Sequence, residues 1–223
     1  EAARVERVQG VRVVAIDRNA HKVTLADGST LAYEKLAWCT GGRPRPLVCE
    51  GMDPARPPAN LFTLRTLADA DGMRAQLRPG ARVLVVGGGY VGLEVAASAR
   101  AQGAEVTVLE AQTRVLARVA GPEVSRFYED VHREAGVTLF TGTGIARVEC
   151  EGGRIIAVVC STGQRLAVDM VVAGIGMLAN IEVARAAGLA DEGGILVDDL
   201  ARTADTDIVA AGDCTLQQHA LYG

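Results

Sequence analysis

The run Arg82-Val83-Leu84-Val85-Val86, followed at once by Gly87-Gly88-Gly89-Tyr90-Val91-Gly92, constrains the fold more than any other stretch of the 223 residues. An unbroken apolar segment of this length reads as a strand buried on both faces of a parallel sheet. A G-x-G-x-x-G at the end of such a strand and the start of a helix has a physical purpose at each glycine. Gly87 permits the tight turn, Gly89 lets backbone approach a pyrophosphate that a Cβ would repel, and Gly92 lets the helix lie close on the strand. The amides that open the helix near Tyr90 then face the phosphates. Such a site also needs an acid about 20 residues further on, at the end of the next strand, to accept the hydroxyls of the adenosine ribose. Glu110 closes Val106-Thr107-Val108-Leu109 at that place. Its charge disfavours a 2′-phosphate and so favours NAD(H) over NADP(H), while Arg114 and Arg118 lie near enough in sequence to leave the strictness of that preference open. A glycine motif alone is as often an ordinary turn; strand, helix and acid in register make it a nucleotide site.

The segments around this motif alternate as a doubly wound α/β sheet requires. Helix is expected after Thr66 to about Leu77, from about Tyr90 to Gln102 and from about Pro122 to Ala135, with strands at Val106 to Leu109, Val137 to Phe140 and Met170 to Ala173. Between Gly144 and Val168 the helical period disappears. Short β-like runs at Ala146 to Glu149, Ile155 to Val159 and Arg165 to Val168, separated by Gly152-Gly153 and Gly163, indicate a small antiparallel insertion. A short helix from Ile181 ends at Gly188. Ahead of all this, Val11 to Ile16, Lys22 to Leu25 and Lys35 to Cys39 read as an antiparallel meander with Asp27-Gly28 in a turn. Gly41 to Asn60, with Pro44, Pro46, Pro54, Pro57 and Pro58, reads as a linker. The expected division is a meander with its linker over 1–64, a Rossmann-like NAD(H)-binding domain over 65–193, and a closing segment over 194–223.

Composition removes several function classes. A net charge of -4 and no Lys/Arg block argue against nucleic acid as a partner. No apolar run approaches the roughly 20 residues of a spanning helix, so membrane insertion is not expected. The five cysteines form no C-x-x-C pair, and their odd number suits a reducing, cytoplasmic compartment. His21, His132 and His219 are scattered, so no metal site is expected.

Three weaker patterns gain meaning from their order. Trp38-Cys39-Thr40-Gly41-Gly42-Arg43-Pro44-Arg45 is by itself a strand ending in a glycine turn. Thr203 to Ile208-Val209-Ala210-Ala211-Gly212-Asp213 is a strand finishing in Gly-Asp, whose carboxylate sits where a polyol hydroxyl can bind in an α/β crevice. Gly174-Ile175-Gly176-Met177-Leu178-Ala179-Asn180 follows the last strand of the sheet. Together with Val86 to Glu94, these runs resemble the FAD-dependent pyridine nucleotide-disulfide oxidoreductase superfamily, most of all the NADH-dependent ferredoxin reductases of oxygenase systems, and the likeness covers essentially the whole chain.

The resemblance implies that FAD and NADH bind in two similar domains, a partial FAD-binding domain made of 1–64 with its meander and the returning segment 194–223, and the NAD(H)-binding domain 65–193; that hydride passes from nicotinamide to flavin; and that electrons leave singly toward an iron-sulfur ferredoxin or a rubredoxin. It implies a role for Glu94 near the nicotinamide, Glu110 and Arg118 on the adenosine side, Ile175 and Gly176 beside the cofactor, Thr40, Gly41, Arg43 and Gly212 in the flavin turns, and Asp213 on the ribityl chain. The cofactors carry the reaction, so no general base is assigned. Cys39 stands where the family more often has Ala. A glycine-rich βαβ unit ahead of Arg43 and a further domain after Gly223 are features of the family that this sequence lacks. The expectation is an NADH-binding fold that takes up FAD weakly or not at all, is inactive in isolation and is capable of self-association. Alternatives are an NADH oxidase, a nitrite reductase subunit, a disulfide reductase, or a non-catalytic NAD-binding module.

Overall fold

A computed structural model describes residues 5–53 and 55–218. Pro54, His219 and the closing Leu221-Tyr222-Gly223 lie outside the described residues. The chain divides into two compact units, Glu1–Arg43 with Leu178–Gly223, and Pro44–Met177.

The second unit is built on a five-stranded parallel sheet in the order Leu61–Phe62, Met170–Ala173, Arg82–Val86, Glu105–Leu109, Thr138–Phe140. Side chains of a strand alternate between the two faces of its sheet. Val83, Val85, Val106, Val108 and Val172 accordingly meet Val95, Ala96 and Ala99 of a helix in one core. Leu84, Val86, Leu109 and Val171 point the other way, into a second core with Val148, Ile155 and Val158. Both faces are thus covered, which is why this stretch has no polar alternation; each fully buried valine or leucine is worth about 1.5–3 kcal/mol.

The helices are α1 (Leu67–Gln76), α2 (Tyr90–Ala101), α3 (Pro122–Glu134) and α4 (Glu182–Ala186), the last of which belongs to the first unit. Thr66 starts α1 with a reciprocal cap: its side chain accepts the Asp69 amide, and the Asp69 carboxylate accepts the Thr66 amide at 2.8 Å. Gly136, at φ +86°, follows α3. The antiparallel insertion is a three-stranded sheet, Ile145–Glu151, Arg154–Cys160 and Arg165–Ala167.

The proline-rich segment is not a free linker. Leu47, Cys49 and Met52 pack on the second core, and the Val148 amide donates to the Glu50 carbonyl at 2.9 Å. Gly51 has φ +87°, and a Cβ there would lie 2.1 Å from the Val148 carbonyl oxygen. At its end Asn60 is only 1% exposed. The Asn60 Nδ2 donates to the Ile155 and Asp169 carbonyls at 2.8 and 2.9 Å, and its Oδ1 accepts the Ile155 amide at 2.8 Å. Side chains from Leu47 to Met52 supply the hydrophobic anchor of this irregular segment.

In the first unit the meander is Val13–Asp17, Lys22–Leu25 and Thr30–Ala32. The third strand differs from the expected Lys35 to Cys39. Asp27 Oδ1 accepts both the amide and the hydroxyl of Ser29, and Gly28 sits at φ +87°, so the chain reverses at once and pairs with the residues just after the turn. Leu36–Trp38 pairs in parallel with Ile208–Ala210 instead, with Leu36 opposite Ile208 and Trp38 opposite Ala210. A second parallel pair joins Ile195–Val197 to Thr215–Gln217. Trp38, Ile181, Ala184, Ile195, Ile208 and Cys214 form the core of this unit. All five cysteines are free thiols, and no described helix is long and apolar enough to cross a membrane.

Candidate nucleotide-binding site

The carboxyl ends of Arg82–Val86, Glu105–Leu109 and Met170–Ala173 converge on a cleft of about 170 Å³, lined by Gly87, Gly88, Gly89, Glu110, Arg118, Ile175 and Gly176 among others. That volume is below the roughly 300–1,000 Å³ typical of enclosed small-molecule sites, and the cleft is open to solvent.

Each glycine meets a different constraint. Gly87 adopts φ +103°, and a Cβ on it would lie 2.4 Å from the Gly174 carbonyl oxygen. On Gly92 a Cβ would fall 2.0 Å from the Gly87 carbonyl oxygen, which is the close helix-to-strand approach expected from the motif. On Gly88 it would lie 2.9 Å from Val115 Cγ1 and 3.1 Å from Glu110 Oε2. Around Gly89 there is open space, since apart from Gly89 and its chain neighbours no heavy atom of the described residues lies within 4 Å of where its Cβ would be. Gly89 is also the N-cap of α2 and supplies no side-chain cap, so the first-turn amides of Tyr90 and Val91 face outward without a side-chain acceptor. Open space in front of an uncapped helix start is what a diphosphate requires.

Glu110 is fixed against this turn. Its Oε2 accepts the Gly88 amide at 2.6 Å and its Oε1 accepts the Gln112 amide at 2.7 Å. An ionised carboxylate has about four lone-pair positions, so two remain for sugar hydroxyls.

The outer wall of the cleft is the segment Leu116, Ala117, Arg118 and Val119. Sequence reasoning pointed to Arg118 alone among these, because nothing in the residue types marks Leu116 for the left-handed conformation it adopts, φ +53°. The Leu116 amide donates to the Gly88 carbonyl at 2.9 Å. Arg114, the other cation near Glu110 in sequence, is turned away from the cleft. Its guanidinium donates to the Ala120 and Ala117 carbonyls at 2.7 and 3.1 Å and to Ser125 Oγ at 2.6 Å. Glu94 is exposed on the second turn of α2 and is not among the residues lining the cleft.

The remaining candidate residues lie in the first unit. Because Leu36–Trp38 and Ile208–Ala210 run parallel, Thr40-Gly41 and Gly212-Asp213 leave neighbouring strand ends, and the Ala211 amide donates to the Trp38 carbonyl at 3.0 Å. Thr40 Oγ1 accepts the Trp38 indole N–H at 3.0 Å and donates to the Asn180 carbonyl at 2.7 Å. Arg43 donates to Asn180 Oδ1 and pairs with Glu182, both at 2.7 Å. Glu182 is held below the usual carboxylate range, first by its own backbone amide and then by Arg43. Gly41 and Gly212 have φ +57° and +85°, which only glycine adopts readily. Two adjacent turns at the carboxyl ends of parallel strands fit a polyol-bearing cofactor.

Residues 1–222 match the family described as pyridine nucleotide-disulphide oxidoreductase. The chain belongs to that family. Within these oxidoreductases it is 46% identical to the putidaredoxin reductase of Pseudomonas putida, over 99% of this chain and 53% of the relative. It is 36% identical to the rubredoxin-NAD(+) reductase of Pseudomonas putida, over 95% of this chain and 54% of that one. The crystal structure of the covalent putidaredoxin reductase-putidaredoxin complex superposes with a TM-score of 0.90 at 45% identity, covering 96% of this chain and 51% of that one. The chain thus spans about half the length of the oxidoreductases it matches. The α/β sheet with its glycine turn and antiparallel insertion is the family's Rossmann-like fold.

Proposed function

We propose that this chain carries the NADH-binding machinery, and part of the flavin-binding machinery, of a cytoplasmic reductase that passes hydride from NADH to FAD and then electrons to a ferredoxin or rubredoxin. The observation that carries this reading is the Glu110 carboxylate held 2.6 Å from the Gly88 amide, beside an uncapped helix start with open space in front of Gly89. In this reading residues 65–193 bind NADH, and 1–64 with 194–223 contribute to the flavin side.

When bound, the nicotinamide supplies a hydride and the flavin divides the electron pair for a one-electron acceptor. The residues here bind and orient. The first-turn amides of α2 hold the diphosphate, Glu110 accepts the adenosine ribose hydroxyls, Arg118 borders that end, and Ile175 and Gly176 form the opposite wall. Glu94 lies one turn further along α2, toward the nicotinamide in this assignment. Thr40, Gly41, Arg43, Gly212 and Asp213 hold the flavin's sugar chain. Support for the electron acceptor comes from the names of the relatives, which are reductases of putidaredoxin and rubredoxin.

Two measurements test the proposal. Calorimetric titration of NADH into the chain should give one-to-one binding, and no uptake by folded protein would end the nucleotide assignment. The full-length protein should show a flavin absorption band that NADH bleaches anaerobically and that added ferredoxin or rubredoxin restores; a colourless protein would leave an NAD-binding module without turnover.

A further inference from the structure

Resting on the nucleotide reading above, we infer that Arg114, Ser125 and Glu129 are positioning residues that set the NADH cleft from behind, without touching the nucleotide. The outer wall, Leu116 to Val119, has no regular secondary structure of its own to hold it. It is held from α3 and from its own sequence neighbours. Ser125, one of the few polar side chains buried to 1% exposure, is the centre of the arrangement. Its Oγ accepts from Arg114 Nη1 at 2.6 Å and donates to the Val115 carbonyl at 2.6 Å. The same guanidinium gathers the Ala117 and Ala120 carbonyls. Glu129 Oε1 accepts the Val115 amide at 3.2 Å, so both polar groups of the Val115 backbone are bound by α3 side chains.

The consequence falls on the next residue. With Val115 fixed on both sides and fully buried, Leu116 is held at φ +53°, and its amide reaches the Gly88 carbonyl. Gly88 is the residue whose own amide Glu110 accepts. The wall, the glycine turn and the ribose acid are therefore one hydrogen-bonded unit, and the three positioning residues keep it assembled before ligand arrives. A preformed site spares the ordering of a loop on binding, and that saving appears as affinity. It also removes Arg114 from the cleft, so that of the two arginines near Glu110 only Arg118 borders the site.

The test compares Ser125→Ala and Glu129→Ala with Glu129→Gln and with Ile155→Val. The Glu129→Gln variant keeps a carbonyl oxygen for the Val115 amide, and Ile155→Val trims a buried residue beside Asn60 and Asp169, at the Arg82 end of the sheet and not among the residues lining the cleft. NADH and AMP are titrated calorimetrically into each full chain, below its melting transition. Ser125→Ala and Glu129→Ala should weaken both ligands about five- to ten-fold, the effect of one or two hydrogen bonds. Glu129→Gln should bind within about two-fold of wild type, as should Ile155→Val despite its lowered Tm. Wild-type affinity in both alanine variants, or an affinity loss in Ile155→Val that matches theirs, overturns the inference. Should Ser125→Ala not fold, the Glu129 pair decides alone, because Glu129 lies on the half-buried side of α3. A wild-type chain that takes up no NADH overturns the nucleotide reading itself, an outcome distinct from wild-type uptake that the variants leave unchanged.

Discussion

Glu110 and Gly88, 22 residues apart, are joined by a 2.6 Å hydrogen bond from the Gly88 amide to the Glu110 carboxylate. The bond orients an acid that would otherwise sample several rotamers and directs its free lone pairs over the glycine turn. Under the proposed assignment a ligand's sugar would meet a carboxylate already in place, and its orientation would cost little at the moment of binding.

Replacement of Glu110 should expose both of its tasks. Glu110→Ala is expected to weaken NADH about ten-fold or more, since charge-assisted hydrogen bonds are worth about 1.5–3 kcal/mol each. Glu110→Gln, which keeps an acceptor for Gly88 but loses the charge, should weaken NADH less and narrow the gap between NADH and NADPH. Titrations of both nucleotides into the three proteins read this out; an unchanged NADH affinity in Glu110→Ala would remove the residue from the site.

The glycines of the turn separate folding from binding. Gly92→Ala places a Cβ 2.0 Å from the Gly87 carbonyl oxygen and should lower stability by several kcal/mol, with loss of NADH binding as a consequence. Gly89→Ala meets nothing within 4 Å and should leave Tm nearly unchanged while its methyl group blocks the diphosphate. Thermal denaturation beside NADH titration distinguishes the two, and tight NADH binding by Gly89→Ala would contradict the placement of the phosphates.

Acid stability should depend visibly on Asp169. The Arg82 guanidinium, bonded to both carboxylate oxygens at 2.8 and 3.0 Å, holds its pKa at about 2. The unfolded value is about 3.9, so the pairing stabilises the fold above pH ~4, and its contribution is lost as pH falls toward 2. Because both side chains are partly exposed, the contribution is on the order of 1 kcal/mol. Urea denaturation between pH 6 and about 2.5 should show a decline that is shallower in Asp169→Asn.

Trp38 is the sole tryptophan, buried with its indole N–H on Thr40 Oγ1. Thr40→Val leaves that N–H and the Asn180 carbonyl without this partner, at a cost of about 1–3 kcal/mol. The expected signature is an earlier, red-shifted transition in tryptophan emission, with NADH affinity retained. A coincident loss of NADH binding in folded protein would show that Thr40 serves the nucleotide cleft as well.

What the sequence disclosed and what it concealed follow from the range of the interactions involved. The strand Arg82–Val86, the start of α2 at Tyr90 and the place of Glu110 were legible because local pattern and fixed spacing determine them. So was the antiparallel insertion, from paired glycines and alternating runs. The partner of Leu36–Trp38 was not, since it lies some 170 residues away at Ile208–Ala210 and only tertiary packing chooses it over the nearer meander. The same reason hid the wall of the cleft. Leu116 carries no mark of its left-handed backbone, which is imposed by Val115 bonding to Ser125 and Glu129 on α3. The fastening of the proline-rich segment was also unreadable, because proline content announces a stiff, irregular path and says nothing of where Leu47 and Met52 are buried.

Asn60 gives the antiparallel insertion a fixed hinge pin. By gripping the amide and carbonyl of Ile155 together with the Asp169 carbonyl, one side chain rivets the outer sheet to the root of the parallel one. Val148, Ile155 and Val158 of the insertion are buried against the same sheet, so its polar fastening and its apolar contacts run along one seam.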